Sequence, residues 1–409
     1  MCIFYYICTN TNAMNELLEL SERLVSDVPM QFSRYLMKEI DWSNRLVGIK
    51  GARGTGKTIM LLQYLMQKKL SIRKAAYFSV DDLYFTTHSL LETGRDFYLQ
   101  GGQILVLDEV HKYPGWAREI KNLYDRYHDL QIIFTGSSIL DISRQEADLS
   151  RRAIIYELHG LSYREYLKFN KIIDTGIFSL NDIVTQNNIR ERFPQNFRPL
   201  AYFKDYLYYG YYPFSVENKT GYAIRLRQLI RLIVETDMSE IKGFDIRNAK
   251  KMLQLIYIIA QQSPFKPNII KLAEKSRIHR NSVSNYLYFL EEARLINLLY
   301  PSGRSIATLQ KPEKIYLNNT NLMFAMTSEQ MNTGSVRETF FYNQLMVKHK
   351  IRQPKMTDFE IDDKFIFEVG GKTKSQKQIK GLKDAFVAKD NMEFPAGNAI
   401  PLWLLGFLY

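Results

Sequence analysis

The chain has 409 residues, 46% of them hydrophobic and 24% charged, the ordinary balance of a globular protein with room for on the order of two to four domains. A formal net charge of +12 and a pI near 9.3 favour polyanionic partners, chiefly nucleic acid. Cys2 and Cys8 are the only cysteines, which excludes a disulfide framework and a cysteine metal site and makes a reducing cytoplasm the expected setting.

Taken in chain order, residues 1–8 are apolar but have no basic flank and no small-residue cleavage site, which argues against a signal peptide. No apolar run reaches the ~18 residues a membrane span needs, so no membrane partner is expected. Residues 1–13 read as a disordered or misassigned extension, because Met14 opens a more conventional helix. Leu17, Leu18, Leu20 and Leu24 recur on one side and predict helix within 14–42. Apolar runs predict strands at 45–49, 75–80, 104–107, 131–134 and 153–158. Helices are predicted at 59–69 and 115–128. Strands that alternate with helices imply a parallel α/β sheet, assigned to residues 14–160.

Residues 51–58 read GARGTGKT, the complete phosphate-binding P-loop pattern. Gly51, Gly54 and Gly56 let the backbone turn tightly, with Ala52, Arg53 and Thr55 between them, and the amides turn toward phosphate oxygens. The following helix aims its positive end at the same anion. Lys57 is expected on the β- and γ-phosphates of ATP, and the Thr58 hydroxyl on Mg2+. The run ILVLDE at 104–109 ends in Asp108, the second expected magnesium ligand, and Glu109, the expected general base. Thr135 and Ser137 end the next strand and are candidates to touch the γ-phosphate or the attacking water. Arg151 and Arg152 precede the fifth strand; one of them is a candidate to stabilise transition-state charge, in cis or from a partner subunit, the alternative being a solvated or salt-bridged pair.

Residues 161–248 turn helical and aromatic and read as a lid or connector. In 249–320, apolar periodicity predicts helices at 268–275 and 281–292 around a short turn, then a strand at 295–300 and a turn at 301–304. That order predicts a winged helix. Lys275, Arg277, Arg280, Asn281, Ser284 and Arg304 are its candidate contacts to double-stranded DNA. Such modules also serve as protein contacts, so a protein partner or a homo-oligomer stays open. Residues 321–409 have mixed α and β character.

The chain resembles the bacterial and archaeal ATPases of the AAA+ superfamily that carry a C-terminal domain of unknown function. The resemblance rests on the P-loop, LVLDE at 105–109, IIFTGSS at 132–138, LSRRAIIYELHGLSYREYL at 149–167 and GYYPF at 210–214. It implies strand order 5-1-4-3-2, Ser137 or Thr135 as a sensor and Arg151 or Arg152 as a finger. It also implies a restriction-endonuclease-like C-terminal fold, with Glu338, Asp358 and Glu368 as remnants of a metal site. The lysine of the Glu-x-Lys pattern is replaced by Gly370, leaving Lys372 as a displaced substitute. Function therefore reads as a Mg2+-dependent ATPase that couples nucleotide state to a DNA-contacting C-terminal half. The alternatives are a nucleotide-gated switch with little turnover and an ATP-controlled nuclease.

Overall fold

The computed structural model describes residues 2–137, 149, 151–186, 188–240, 244–303, 311–327, 331–371, 374 and 377–409, with side chains from residue 13 onward except Glu240. The chain divides into two compact units, Met1–His159 and Gly160–Tyr409. Among the described residues no helix is long and apolar enough to cross a membrane.

The first unit opens on helix α1 (Cys2–Ser26). Met14, Leu17 and Leu18 are buried on one side of it. Helix does not continue through 42 as the periodicity predicts. Pro29 disfavours helical backbone at Val28 and removes a helix donor, so the chain runs irregularly to α2 (Leu36–Glu39). Then follow β1 (Leu46–Gly51), α3 (Lys57–Lys68), β2 (Ala75–Ser79), α4 (Leu90–Leu99), β3 (Ile104–Asp108), α5 (Trp116–Arg126), β4 (Gln131–Ser137) and β5 (Ile154–Glu157).

The five strands pair in parallel in the order β2-β3-β4-β1-β5, the order the resemblance implies. The unbroken apolar run of β3 is buried throughout, as a central parallel strand covered on both faces should be. Phe78, Leu105, Leu107, Ile132 and Phe134 form one core with Phe97, Trp116, Ile120 and Leu123 of the helices. The register sets the site: Ser79 lies opposite Asp108, and Ser137 opposite Gly51.

The second unit contains α6 (Tyr163–Phe169), α7 (Leu180–Thr185), α8 (Pro199–Tyr209), α9 (Tyr222–Glu235), α10 (Ala249–Gln262), α11 (Ile269–Ser276), α12 (Arg280–Glu292), β6 (Ile296–Leu299) and β7 (Lys314–Leu317). It ends with α13 (Thr320–Met326), α14 (Thr333–Leu345), β8 (Ile351–Arg352), β9 (Phe359–Ile361), β10 (Phe365–Gly370), β11 (Ala385–Lys389) and β12 (Ala399–Pro401). Strands β6 and β7 form an antiparallel pair, and β12-β11-β10-β9-β8 form a mixed sheet. The helical segment does not stand apart from the chain's C-terminal end. Tyr163, Phe203 and Tyr206 share a core with Phe340, Trp403 and Phe407.

A buried amide network explains why the GYYPF segment keeps its place. Asn321 Oδ1 accepts from Tyr211 N and the Tyr222 hydroxyl, while its Nδ2 donates to the Tyr206 and Leu207 carbonyls. Asn318 and Asn343 extend the network to Asn297 on β6. Buried amides are costly unless satisfied, and these are satisfied across four segments distant in sequence.

One buried carboxyl costs stability. Glu291 on α12 accepts from Leu298 N at 2.9 Å, and burial pushes its pKa up to about 7 from an ordinary value of 4.5. The folded state thus holds its proton longer than the unfolded chain. The penalty for ionising it is absent below the unfolded pKa and grows as pH rises through the folded one. Glu291→Gln keeps an acceptor for Leu298. It is expected to leave the melting temperature unchanged near pH 4 and to stabilise the unit by about 1–3 kcal/mol near pH 8. Equal stability at both pH values would show that Glu291 is not desolvated in solution.

Candidate nucleotide site

The loop at 51–58 leaves β1 and enters α3. Gly56 stands at the helix N-cap with φ +91°, a left-handed conformation that side chains resist. At Gly51 a Cβ would lie 2.4 Å from the Leu158 carbonyl oxygen, so only glycine permits the approach of these two segments. The Ala52 carbonyl accepts from Thr55 Oγ1 at 2.9 Å, which tightens the turn. Lys57 Nζ donates to the Gly51 and Ala52 carbonyls at 2.8 and 3.1 Å. Its ammonium thus lies within the loop, where an anion would compete for it.

Asp108 is the hub of the site and is 2% exposed. Its Oδ2 accepts from Thr58 Oγ1 at 2.6 Å and from the Tyr77 hydroxyl at 2.8 Å. Its Oδ1 accepts from Thr135 Oγ1 and, at 3.1 Å, from Glu109 N. Hydroxyl and carboxylate oxygens brought together in this way suit a hard divalent cation, which binds through oxygen and retains water and phosphate ligands. Thr58 and Asp108 therefore fit Mg2+.

Glu109 sits in a left-handed conformation, φ +56°. Its carboxylate lies 3.9 Å from Arg53 Nη1. Burial raises its pKa above the ordinary glutamate value; Arg53 opposes that rise, and Asp108 and Asp81 add to it. Thr135 Oγ1 also accepts from Glu109 N at 3.1 Å, so Thr135 bridges both acids. Ser137 is buried, and its amide donates to His111 Nδ1 at 3.4 Å. Arg152 is bonded to Asp125 of α5 at 2.8 and 3.1 Å, while Arg151 is exposed. Neither arginine joins the group around Asp108.

Two residues of the site were missed from sequence. Tyr77 stands in the apolar run of β2, where nothing in the pattern marks it as a partner of Asp108. Arg34 is 5% exposed. Its guanidinium donates to the Thr55 carbonyl within the loop and, at 2.7 Å, to the His159 carbonyl. A lone arginine in a predicted helix carries no signal of that bracing role.

In the second unit, Lys275, Arg280, Asn281 and Ser284 are exposed on α11 and α12, and Arg277 is exposed just past α11. Arg304 lies outside the described residues. Glu338, Asp358 and Glu368 do converge, but with lysines between them. Glu338 accepts from Lys314 at 3.0 Å and from the Tyr316 hydroxyl at 2.8 Å, and Lys314 also stands 4.0 Å from Asp358. Lys374 Nζ lies 2.7 Å from Glu368, whose pKa burial raises while Lys374 opposes the rise. A Cβ on Gly370 would come within 2.5 Å of the Lys374 side chain. The missing side chain at 370 thus makes room for a lysine four positions later. The substitute named from sequence, Lys372, lies outside the described residues. Among the described residues no group of three or more His, Cys, Asp or Glu is placed to hold a metal ion.

The parallel sheet, the glycine loop between β1 and α3, and Asp108 at the end of β3 are together consistent with a P-loop nucleotide-binding α/β fold. Comparison with known proteins sharpens this: residues 43–167 match the AAA domain, and residues 200–333 match a domain of unknown function, DUF8612. The chain is similar to the uncharacterized protein MJ1637 of Methanocaldococcus jannaschii, at 29% identity over 369 residues, covering 82% of this chain and 77% of that protein. Similar solved structures include AMPPCP-bound DnaA from Aquifex aeolicus, at 18% identity, 68% of this chain, 88% of that chain and a TM-score of 0.27. C. elegans PCH-2 matches at 14% identity, 68% of each chain and a TM-score of 0.25.

Proposed function

We propose that the chain binds ATP with Mg2+ at the 51–58 loop and hydrolyses it to ADP and phosphate. The observation that supports this best is the 2.6 Å contact between Thr58 Oγ1 and Asp108 Oδ2, fifty positions apart, at the start of the helix that follows the glycine loop. Magnesium bound there would neutralise phosphate charge. Lys57 exchanges its loop carbonyls for the β- and γ-phosphates. Glu109 takes the proton of the attacking water. Thr135 keeps Glu109 and Asp108 in register, and Ser137 lies beside the loop to sense the γ-phosphate. Arg152 is occupied by Asp125, which leaves exposed Arg151 as the better finger, acting on a neighbouring subunit's site.

The acid limb of the turnover profile follows from Glu109. Its carboxyl must be ionised to act as a base, and its pKa is raised. In kcat/KM, which reports the protein before Mg2+ and ATP bind, activity is expected to fall, as pH drops, at a higher pH than an ordinary glutamate would give. Arg53→Ala removes the largest opposing charge and should move that limb higher still. A limb unmoved by Arg53→Ala would show that the two side chains do not interact before Mg2+ and ATP bind.

The second unit, in this reading, contacts nucleic acid through the exposed face of α12, with ATP state setting its availability. A nucleotide-gated switch with little turnover is the second reading, favoured by the pairing of Glu109 with Arg53. The lysine-filled carboxylate cluster disfavours a nuclease. Phosphate release measured without nucleic acid and with single- or double-stranded DNA separates the two: strong stimulation by either form supports the coupled ATPase, and tight ATP binding with negligible release supports the switch.

A further inference from the structure

A groove of about 980 Å³ opens in the second unit. One side is a stripe of α12 carrying Arg280, Asn281, Ser284 and Tyr288. The other side is the chain entering α11, from Lys266 to Ile270, and the approach to β7 at Lys311. Leu287 and Leu298, 2% and 5% exposed, close its base. Tyr288 is 39% exposed, and Tyr300 lines the groove after β6. Lys266, Arg280 and Lys311 supply positive charge, and among the described residues no carboxylate lines it. Glu313, outside the lining, pairs with Lys266 at 2.5 Å.

This shape changes what the exposed face of α12 can receive. A helix that reads a duplex enters a major groove about 12 Å wide and must stand clear of its neighbours. Here the polar face of α12 opens into a concavity shared with an opposing wall. Drug-sized ligands fill about 300–1,000 Å³, so the groove has room for a short run of chain rather than a single ion. Cations for phosphates, tyrosine rings for bases and amides from Asn268 and Asn281 for base edges form a complementary set for an unpaired strand.

We infer that the groove between α12 and the start of α11 binds single-stranded nucleic acid, with bases against Tyr288 and Tyr300 and phosphates on Lys266, Arg280 and Lys311. This rests on the nucleic-acid reading of α12 and names the form of the ligand. Aromatic stacking tolerates any base, so binding depends little on sequence.

The test is fluorescence anisotropy of the full chain, without nucleotide, against labelled oligo-dT, a duplex of equal length and polyglutamate. Oligo-dT is expected to bind more tightly than the duplex, with polyglutamate silent. Three phosphate contacts predict a slope of about −2 in log affinity against log salt. Tyr288→Ala should weaken binding roughly tenfold without changing that slope, and Tyr288→Phe should restore it. Lys311→Ala should make the slope shallower by about 0.7. Tighter duplex binding would overturn the single-strand inference and leave the nucleic-acid reading intact. Polyglutamate binding as tight as oligo-dT, or a Tyr288→Ala variant of parental affinity, would also overturn it. No binding of any nucleic acid at low salt would remove both. None of these outcomes bears on ATP hydrolysis.

Discussion

Glu109→Gln is expected to lower ATP turnover by roughly 10²–10⁴-fold, the usual contribution of a positioned general base, while ATP binding persists. The substitution keeps the size of the side chain and its backbone place beside Asp108 and Thr135. It removes the capacity to take a proton, together with the negative charge that faces Arg53. Lys57, Thr58 and the loop backbone are untouched, so the variant should accumulate in the ATP-bound state. Equilibrium titration with a fluorescent ATP analogue, alongside phosphate release, reads both quantities. Turnover at the parental rate would show that Glu109 is not the base. Loss of binding together with turnover would show that it has a structural part instead.

Lys57→Ala attacks binding and chemistry together. Its ammonium already lies inside the loop, 2.8 Å from the Gly51 carbonyl and 3.1 Å from that of Ala52. Removing an oriented charge from the place where transition-state charge develops typically costs roughly 10²–10³-fold in rate, and here affinity should fall as well. The two variants should therefore part on affinity: Glu109→Gln retains it and Lys57→Ala weakens it. A folded Lys57→Ala variant, checked by circular dichroism, with parental turnover and affinity would show that ATP is handled elsewhere.

Much of this site was legible because its chemistry demands particular residues at particular spacings. The glycines, Lys57 and Thr58 stand in one contiguous motif, and Asp108 ends a run whose unbroken apolar character marks a central strand. Sheet order followed from resemblance, since periodicity locates strands but says nothing of their neighbours. What sequence reading missed was set by contacts distant in the chain. Tyr77 meets Asp108 only because β2 lies next to β3. Arg34 reaches the loop only because Pro29 ends α1 early and the chain turns back. Lys374 meets Glu368 although the resemblance implies a lysine at position 370, a contact visible only once Gly370 is seen to leave space for it. Helix α4 was missed although a local signal announced it: Ser89 caps the Glu92 amide, and the Glu92 carboxylate accepts from the Ser89 hydroxyl.

In the proposed reading, Thr58 and Asp108 hold the metal that accompanies ATP. Phosphate release by the full chain, titrated with Mg2+ for the parent and for Asp108→Asn, tests it most directly. Turnover by the parent is expected to require Mg2+ and to be abolished by chelation, and Asp108→Asn is expected to need a much higher Mg2+ concentration and still to turn over slowly. Turnover that is indifferent to Mg2+, or an Asp108→Asn variant with the parental Mg2+ dependence, would contradict it.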